Sequence, residues 1–135
     1  MSFIRYNNNP DHIDVGDCVI RAISTALELD WYEVHDDLCS LSRDMSDMPS
    51  SNRVWKKYLR DWGLREYTVE TDCPYCLTVR DFCRDHLKGR YIVSTCDYAT
   101  ANQIIVIGTH LIPVISGNYI DSWDSGSDIP LSYFV

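Results

Sequence analysis

Three side chains in this sequence have the types and the order that nucleophilic catalysis needs: Cys18 early, His110 late, and Asp121 eleven positions after the histidine. A thiol attacks carbonyl carbon only as a thiolate, an imidazole supplies the base that makes it one, and a carboxylate fixes the tautomer and orientation of the imidazole. Taken singly, each has an ordinary explanation. A reduced cysteine is most often a small core side chain, a strand histidine bonds to its neighbours, and a turn-adjacent aspartate decorates a surface. Their joint order is what argues for a Cys-His-acid site with Cys18 as nucleophile, His110 as base and Asp121 as the orienting acid.

The elements that must position them are legible around each residue. Asp17 is placed to cap a helix running to about Glu28, whose Val19, Ile20, Ile23, Ala26 and Leu27 recur at helical spacing, so Cys18 falls in the first turn. There the unpaired amides and the aligned peptide dipoles favour a thiolate, and the same amides can serve a developing oxyanion. Gly16 allows a tight entry to that turn. No Gln precedes Cys18, so Asn9 is the candidate side-chain oxyanion donor, with the Tyr6 hydroxyl as a further one.

The second element is a hairpin. With Ser116-Gly117 as a two-residue turn, Ile115 pairs with Asn118 and Val114 with Tyr119, and counting outward sets Ile112 against Asp121 and His110 against Trp123. Alternation then puts His110, Ile112, Asp121 and Trp123 on one face and Asp124 on the other, which selects Asp121 as the acid.

The rest of the chain reads as more helix and more strand. Asp30 and Glu33 form a capping-box pattern before Val34, Leu38 and Leu41, and Ser42 to Ser51 reads as a loop. A third helix carries Trp55, Tyr58, Leu59 and Trp62 and stops at Gly63. Leu64 to Glu70 reads as a short strand. Thr78 with Asp81 makes another capping box, stapled by Leu77 and Phe82, for a helix ending near Gly89. Tyr91 to Thr95, Ile104 to Ile107, His110 to Ile115 and Tyr119 to Trp123 are β-branched or aromatic runs of strand type. The expected architecture is α+β, a single domain over residues 1–135, with N-terminal helices packed on a small C-terminal antiparallel sheet whose edge loops present His110 and Asp121.

Composition narrows the function classes. The chain has 135 residues, 45% of them apolar, which suits one core. Its formal charge of -8 argues against a nucleic-acid surface, which is built from clustered Lys and Arg. No apolar run has the length of a signal peptide or a membrane span, so the expectation is a cytoplasmic protein without membrane association. Composition says nothing of oligomeric state. Six irregularly spaced cysteines with no export signal read as reduced thiols.

Gly16-Asp17-Cys18-Val19-Ile20-Arg21-Ala22-Ile23, His110-Leu111-Ile112-Pro113-Val114 and Tyr119-Ile120-Asp121-Ser122-Trp123-Asp124 together resemble a group of short phage and bacterial proteins related to papain-like cysteine peptidases. The resemblance extends to Glu33-Val34-His35-Asp36-Asp37-Leu38 and Thr78-Val79-Arg80-Asp81-Phe82. It implies a papain-like fold, a thiol hydrolase acting on a protein or peptide substrate and needing no cofactor or metal, and the cytoplasm, or the host cytoplasm if phage-encoded. More distantly, Asp17-Cys18 is similar to the helix start Asp-Cys-Ser-Gly of bacterial cell-wall peptidases, from which Val19-Ile20 departs. The same fold also serves as a catalytically inactive binding module, for instance a phage protein directed at a host factor, and peptidase, isopeptidase and amidase chemistry share the same three residues.

Two lesser readings concern the other thiols. Cys73-Pro74-Tyr75-Cys76 matches the glutaredoxin tetrad, but lies mid-chain without that fold's later motifs. Cys73, Cys76, Cys83 and His86 have zinc-ligand spacing, yet Val79, Phe82, Cys83 and His86 share a helical stripe, the mark of a core face.

Overall fold

The computed structural model describes residues 2–70, 77–96 and 110–135. In chain order the elements are β1 (Phe3–Arg5), α1 (Cys18–Leu27), α2 (Trp31–Asp44), α3 (Asn52–Asp61), β2 (Glu66–Thr68), α4 (Val79–Asp85), β3 (Arg90–Cys96), β4 (His110–Ile115), β5 (Asn118–Asp121) and β6 (Ile129–Phe134). The fold is α+β, as expected. The strand expected over Ile104 to Ile107 and the Cys73-Pro74-Tyr75-Cys76 tetrad lie outside the described residues.

The sheet is larger than expected and mixed. Its order is β1-β5-β4-β3-β6-β2, with β1 parallel to β5 and the other pairs antiparallel. Helices cover both faces. Ile92, Leu111 and Phe134 pack with Ile23, Val34, Leu38, Trp55 and Leu59 of α1 to α3. Val93, Ile112, Val114 and Tyr119 pack with Val79, Phe82 and Cys83 of α4 on the opposite side. Period-two alternation along β3 and β4 divides the apolar residues between these two cores. His110 and Asp121 therefore come from interior strands and not from edge loops, which is why both are buried.

The hairpin register is the expected one. Val114 pairs with Tyr119 and Ile115 with Asn118. Ser116 and Gly117 have φ of 51° and 76°, the left-handed pair that matches a type I′ turn to the twist of its strands. A Cβ at 117 would also sit 3.0 Å from a Leu87 methyl carbon, which would have to give way by a few tenths of an ångström.

Several local expectations are corrected. α2 runs through Ser42 to Asp44, because Ser42 bonds back to the Cys39 carbonyl and stays in the helix. Asp30 caps it through the Tyr32 amide, without the reciprocal bond from Glu33. α4 stops at Asp85, short of Gly89, although its Thr78–Asp81 capping box forms in both directions. Gly16 has an ordinary φ and a Cβ there would meet open space, so its backbone is not under special demand.

Candidate active site

Cys18 is the first residue of α1, and Asp17 stands at the N-cap position. The Asp17 carboxylate does not cap the helix. It turns away to accept from Arg21 Nε at 2.8 Å, Asn9 Nδ2 at 3.1 Å and Trp31 Nε1 at 3.1 Å. A buried carboxylate is stabilised more by a guanidinium and an indole donor than by one backbone amide. The amides of the first turn are thereby left without a side-chain cap beside the thiol.

The three residues singled out by type and order meet. The His110 imidazole hydrogen-bonds the Cys18 thiol, and its Nε2 lies 2.6 Å from Asp121 Oδ2, which leaves Nδ1 for the sulfur. Asp121 has every acceptor site occupied. Its Oδ2 also takes the Ser125 hydroxyl at 2.7 Å, while Oδ1 takes the Ser122 amide at 2.7 Å and Arg21 Nη1 at 3.4 Å. Trp123 lies against the imidazole, ring centroids 4.3 Å apart and 30° from parallel. Asp124 points elsewhere, to Arg80 and the Tyr119 hydroxyl.

The electrostatics follow from these contacts. Burial alone would raise the Cys18 thiol, but the hydrogen bond and charge of His110, the Leu111 backbone and the nearby Arg21 hold it below its ordinary value. Burial likewise works against a charged His110, and the bonds to Asp121 and Cys18 reverse it, pushing the imidazole up to about 9. Asp121 is raised by burial and lowered further by His110, Ser125 and the Ser122 amide, so it stays a carboxylate. All three shifts favour a thiolate–imidazolium pair backed by an ionised acid.

Asn9 is not brought to the thiol. Its amide donates to Asp17, its oxygen accepts from the Asp11 amide, and it is not among the residues lining the cavity beside Cys18. Tyr6 is half exposed and contributes to a separate, much smaller cleft that touches Cys18 from the Arg21 side. Of the residues considered for zinc, Cys83 is buried in the α4 core, where desolvation pushes its thiol up to about 11. His86 donates Nδ1 to the Phe82 carbonyl at 2.8 Å and stacks on the Phe82 ring. Among the described residues no cluster of His, Cys, Asp and Glu has the arrangement of a metal site.

No family model, curated protein or solved structure matches this chain.

Four residues of the site carried no assigned role in the sequence reading. Arg21 had a readable signal, being four positions after Asp17 on a helix, the spacing of an ion pair. Ser125 stands four positions after Asp121, but only the turn that follows β5 brings its hydroxyl back. Asn52 and Ser94 reach the cavity beside Cys18 from α3 and β3, a meeting that tertiary packing creates and spacing does not announce.

Among the described residues, no helix is long and apolar enough to cross a membrane.

Proposed function

We propose that this protein is a cysteine-dependent hydrolase of the papain-like type, cleaving an amide or related acyl bond in a protein or peptide. The observation that carries this reading is the unbroken hydrogen-bonded line from Cys18 through His110 to Asp121, buried at one end of the sheet.

The chemistry runs in two halves. The Cys18 thiolate adds to the acyl carbon, forming a C–S bond while the carbonyl electron pair moves to oxygen, where the amides opening α1 stabilise it. As the pair returns, the C–N bond breaks and the His110 imidazolium gives its proton to the leaving amine. A thioester remains on Cys18. Water then attacks that carbon as neutral His110 takes its proton, and collapse releases the acid and the Cys18 thiolate next to a reprotonated imidazole. Asp121 keeps the imidazole aligned and stabilises its charge throughout, without accepting the proton. Arg21 and Ser125 hold Asp121, and Trp123 stacks on the imidazole.

The test compares the wild-type protein with Cys18→Ser on a diverse peptide library read by mass spectrometry. Hydrolysed or deamidated products from the wild type alone support the reading. The same biological effect from both proteins, with no products from either, would instead identify a binding module.

A further inference from the structure

Beside Cys18 lies a cavity of about 290 Å³, at the small end for a ligand site. The sulfur and imidazole stand at it, Val19 and Trp55 give it apolar wall, and Ser94, Asn52 and Ser50 contribute polar groups. Apart from His110, no ionisable side chain other than the thiol is among its described lining.

Ser94 is the telling residue. It is 4% exposed, on the interior strand β3, on the face that packs toward α1 to α3 with Ile92 and Leu111. A buried hydroxyl ordinarily finds a partner. Among the described residues the enclosed side-chain atom left without a partner is Asn8 Oδ1, so the Ser94 hydroxyl is open to the space it borders, which is this cavity.

Asn52 opens α3 and supplies the complementary group. Its Oδ1 accepts from Trp55 Nε1 at 3.0 Å, and because an indole is a donor only, that bond fixes which end of the amide is oxygen. What its side chain has left for a ligand is the Nδ2 donor. One fixed donor and hydroxyls able to accept, in a partly apolar recess whose only charges are the mutually paired thiol and imidazole, match the oxygen and the NH2 of a carboxamide. A carboxylate would find only the His110 imidazolium, already paired with Asp121 and the Cys18 thiolate, and an ammonium only that same neutralised thiolate, so each would be desolvated with little compensation.

We infer that this cavity is the specificity pocket of the proposed hydrolase and takes a compact uncharged polar side chain, a carboxamide above all, on the residue whose acyl carbon Cys18 attacks. Ser94 and Asn52 are its specificity-determining residues. The inference rests on the thiol-hydrolase reading and adds the substrate class to it.

The experiment measures inactivation of the whole protein by four peptidyl vinyl sulfones that differ only in the side chain next to the warhead: Gln, Glu, Leu and Lys. Each rate is divided by that of methyl methanethiosulfonate at Cys18 in the same variant, which removes differences in thiol reactivity. The Gln probe should exceed the Glu and Lys probes by about tenfold or more, since a site built to hydrogen-bond one group rejects analogues that leave its polar atoms unpaired. Ser94→Ala should lower the Gln advantage over Leu by about tenfold. Asn52→Asp keeps an acceptor for Trp55, removes the donor and should turn the preference toward Lys. Equal normalised rates for all four probes, or a wild-type preference for Leu, Glu or Lys, would overturn the pocket assignment while leaving the thiol chemistry standing. Failure of every probe to label Cys18, together with no faster reaction of Cys18 than of the other thiols with methyl methanethiosulfonate, would overturn both.

Discussion

Arg21 and Asp121, a hundred positions apart in the chain, meet at 3.4 Å inside the protein. The guanidinium also holds Asp17 at 2.8 Å, so one cation ties the helix start that presents the thiol to the strand that presents the acid. Its side chain is 10% exposed and the carboxylates 5% and 2%. Pairs this dry add little over an apolar core but are costly to break, because the partner left behind is an uncompensated buried charge.

Arg21→Met should therefore lower stability by about 3–5 kcal/mol, seen as a reduced urea midpoint. Arg21→Lys should recover only part, since a point charge cannot bond both carboxylates as the guanidinium fork does. An unchanged midpoint in Arg21→Met would mean that the ion pair does not hold the two elements together.

The two neighbouring aspartates separate cleanly. Asp121→Asn removes the charge that His110 faces and should flatten the dependence of Cys18 alkylation on pH, with a loss of turnover of up to about four orders of magnitude. Asp124→Asn disturbs the bonds to Arg80, Tyr119 and the Gly126 amide, which are remote from the imidazole, and should leave the profile as it is. A change confined to Asp124→Asn would contradict the assignment of the acid.

Much of this was legible in the chain. The register that chose Asp121 over Asp124 followed from two turn residues, Ser116 and Gly117, because the local backbone chemistry of such a turn dictates the pairing of everything beyond it. The missed strands lacked a local signal. β1 is three residues of a polar arm whose pairing with β5 is parallel and long-range, and β6 contains Pro130 and Ser132, which break the expected apolar alternation. Pro130 sits where the β3–β6 register shifts, the kind of place in a sheet that tolerates a residue without an amide hydrogen. Asp17 shows the converse. Its type and position predicted a cap, and a buried arginine with two further donors claimed its carboxylate. The Asn9 amide, expected as an oxyanion donor, likewise bonds Asp17.

The raised value of His110, about 9 against an ordinary 6.5, has a consequence for stability. A folded-state value above the unfolded one means that the charged imidazole stabilises the fold fully below pH 6.5, progressively less as pH rises, and no longer above about 9. Wild-type stability minus that of His110→Gln should fall over this window. NMR titration of the His110 ring should place its midpoint near the upper end; a midpoint near 6.5 would mean that the contacts to Asp121 and Cys18 do not hold the proton.

Trp123→Ala should open the imidazole–carboxylate bond to water and lower Cys18 reactivity at neutral pH by about tenfold, because a screened hydrogen bond to Asp121 holds less charge on His110. Trp123→Phe should keep most of it. Equal losses in the two variants would show that coverage of the ring is not what matters.

The central claim is that His110 makes Cys18 a thiolate, and the most direct measurement is partial alkylation with iodoacetamide at neutral pH, mapped by mass spectrometry over all six cysteines. Cys18 should label first, Cys83 last because burial holds its thiol near 11, and His110→Gln should slow Cys18 by at least about tenfold. First labelling at Cys39, Cys73, Cys76, Cys83 or Cys96, or a Cys18 rate indifferent to the loss of His110, would contradict it.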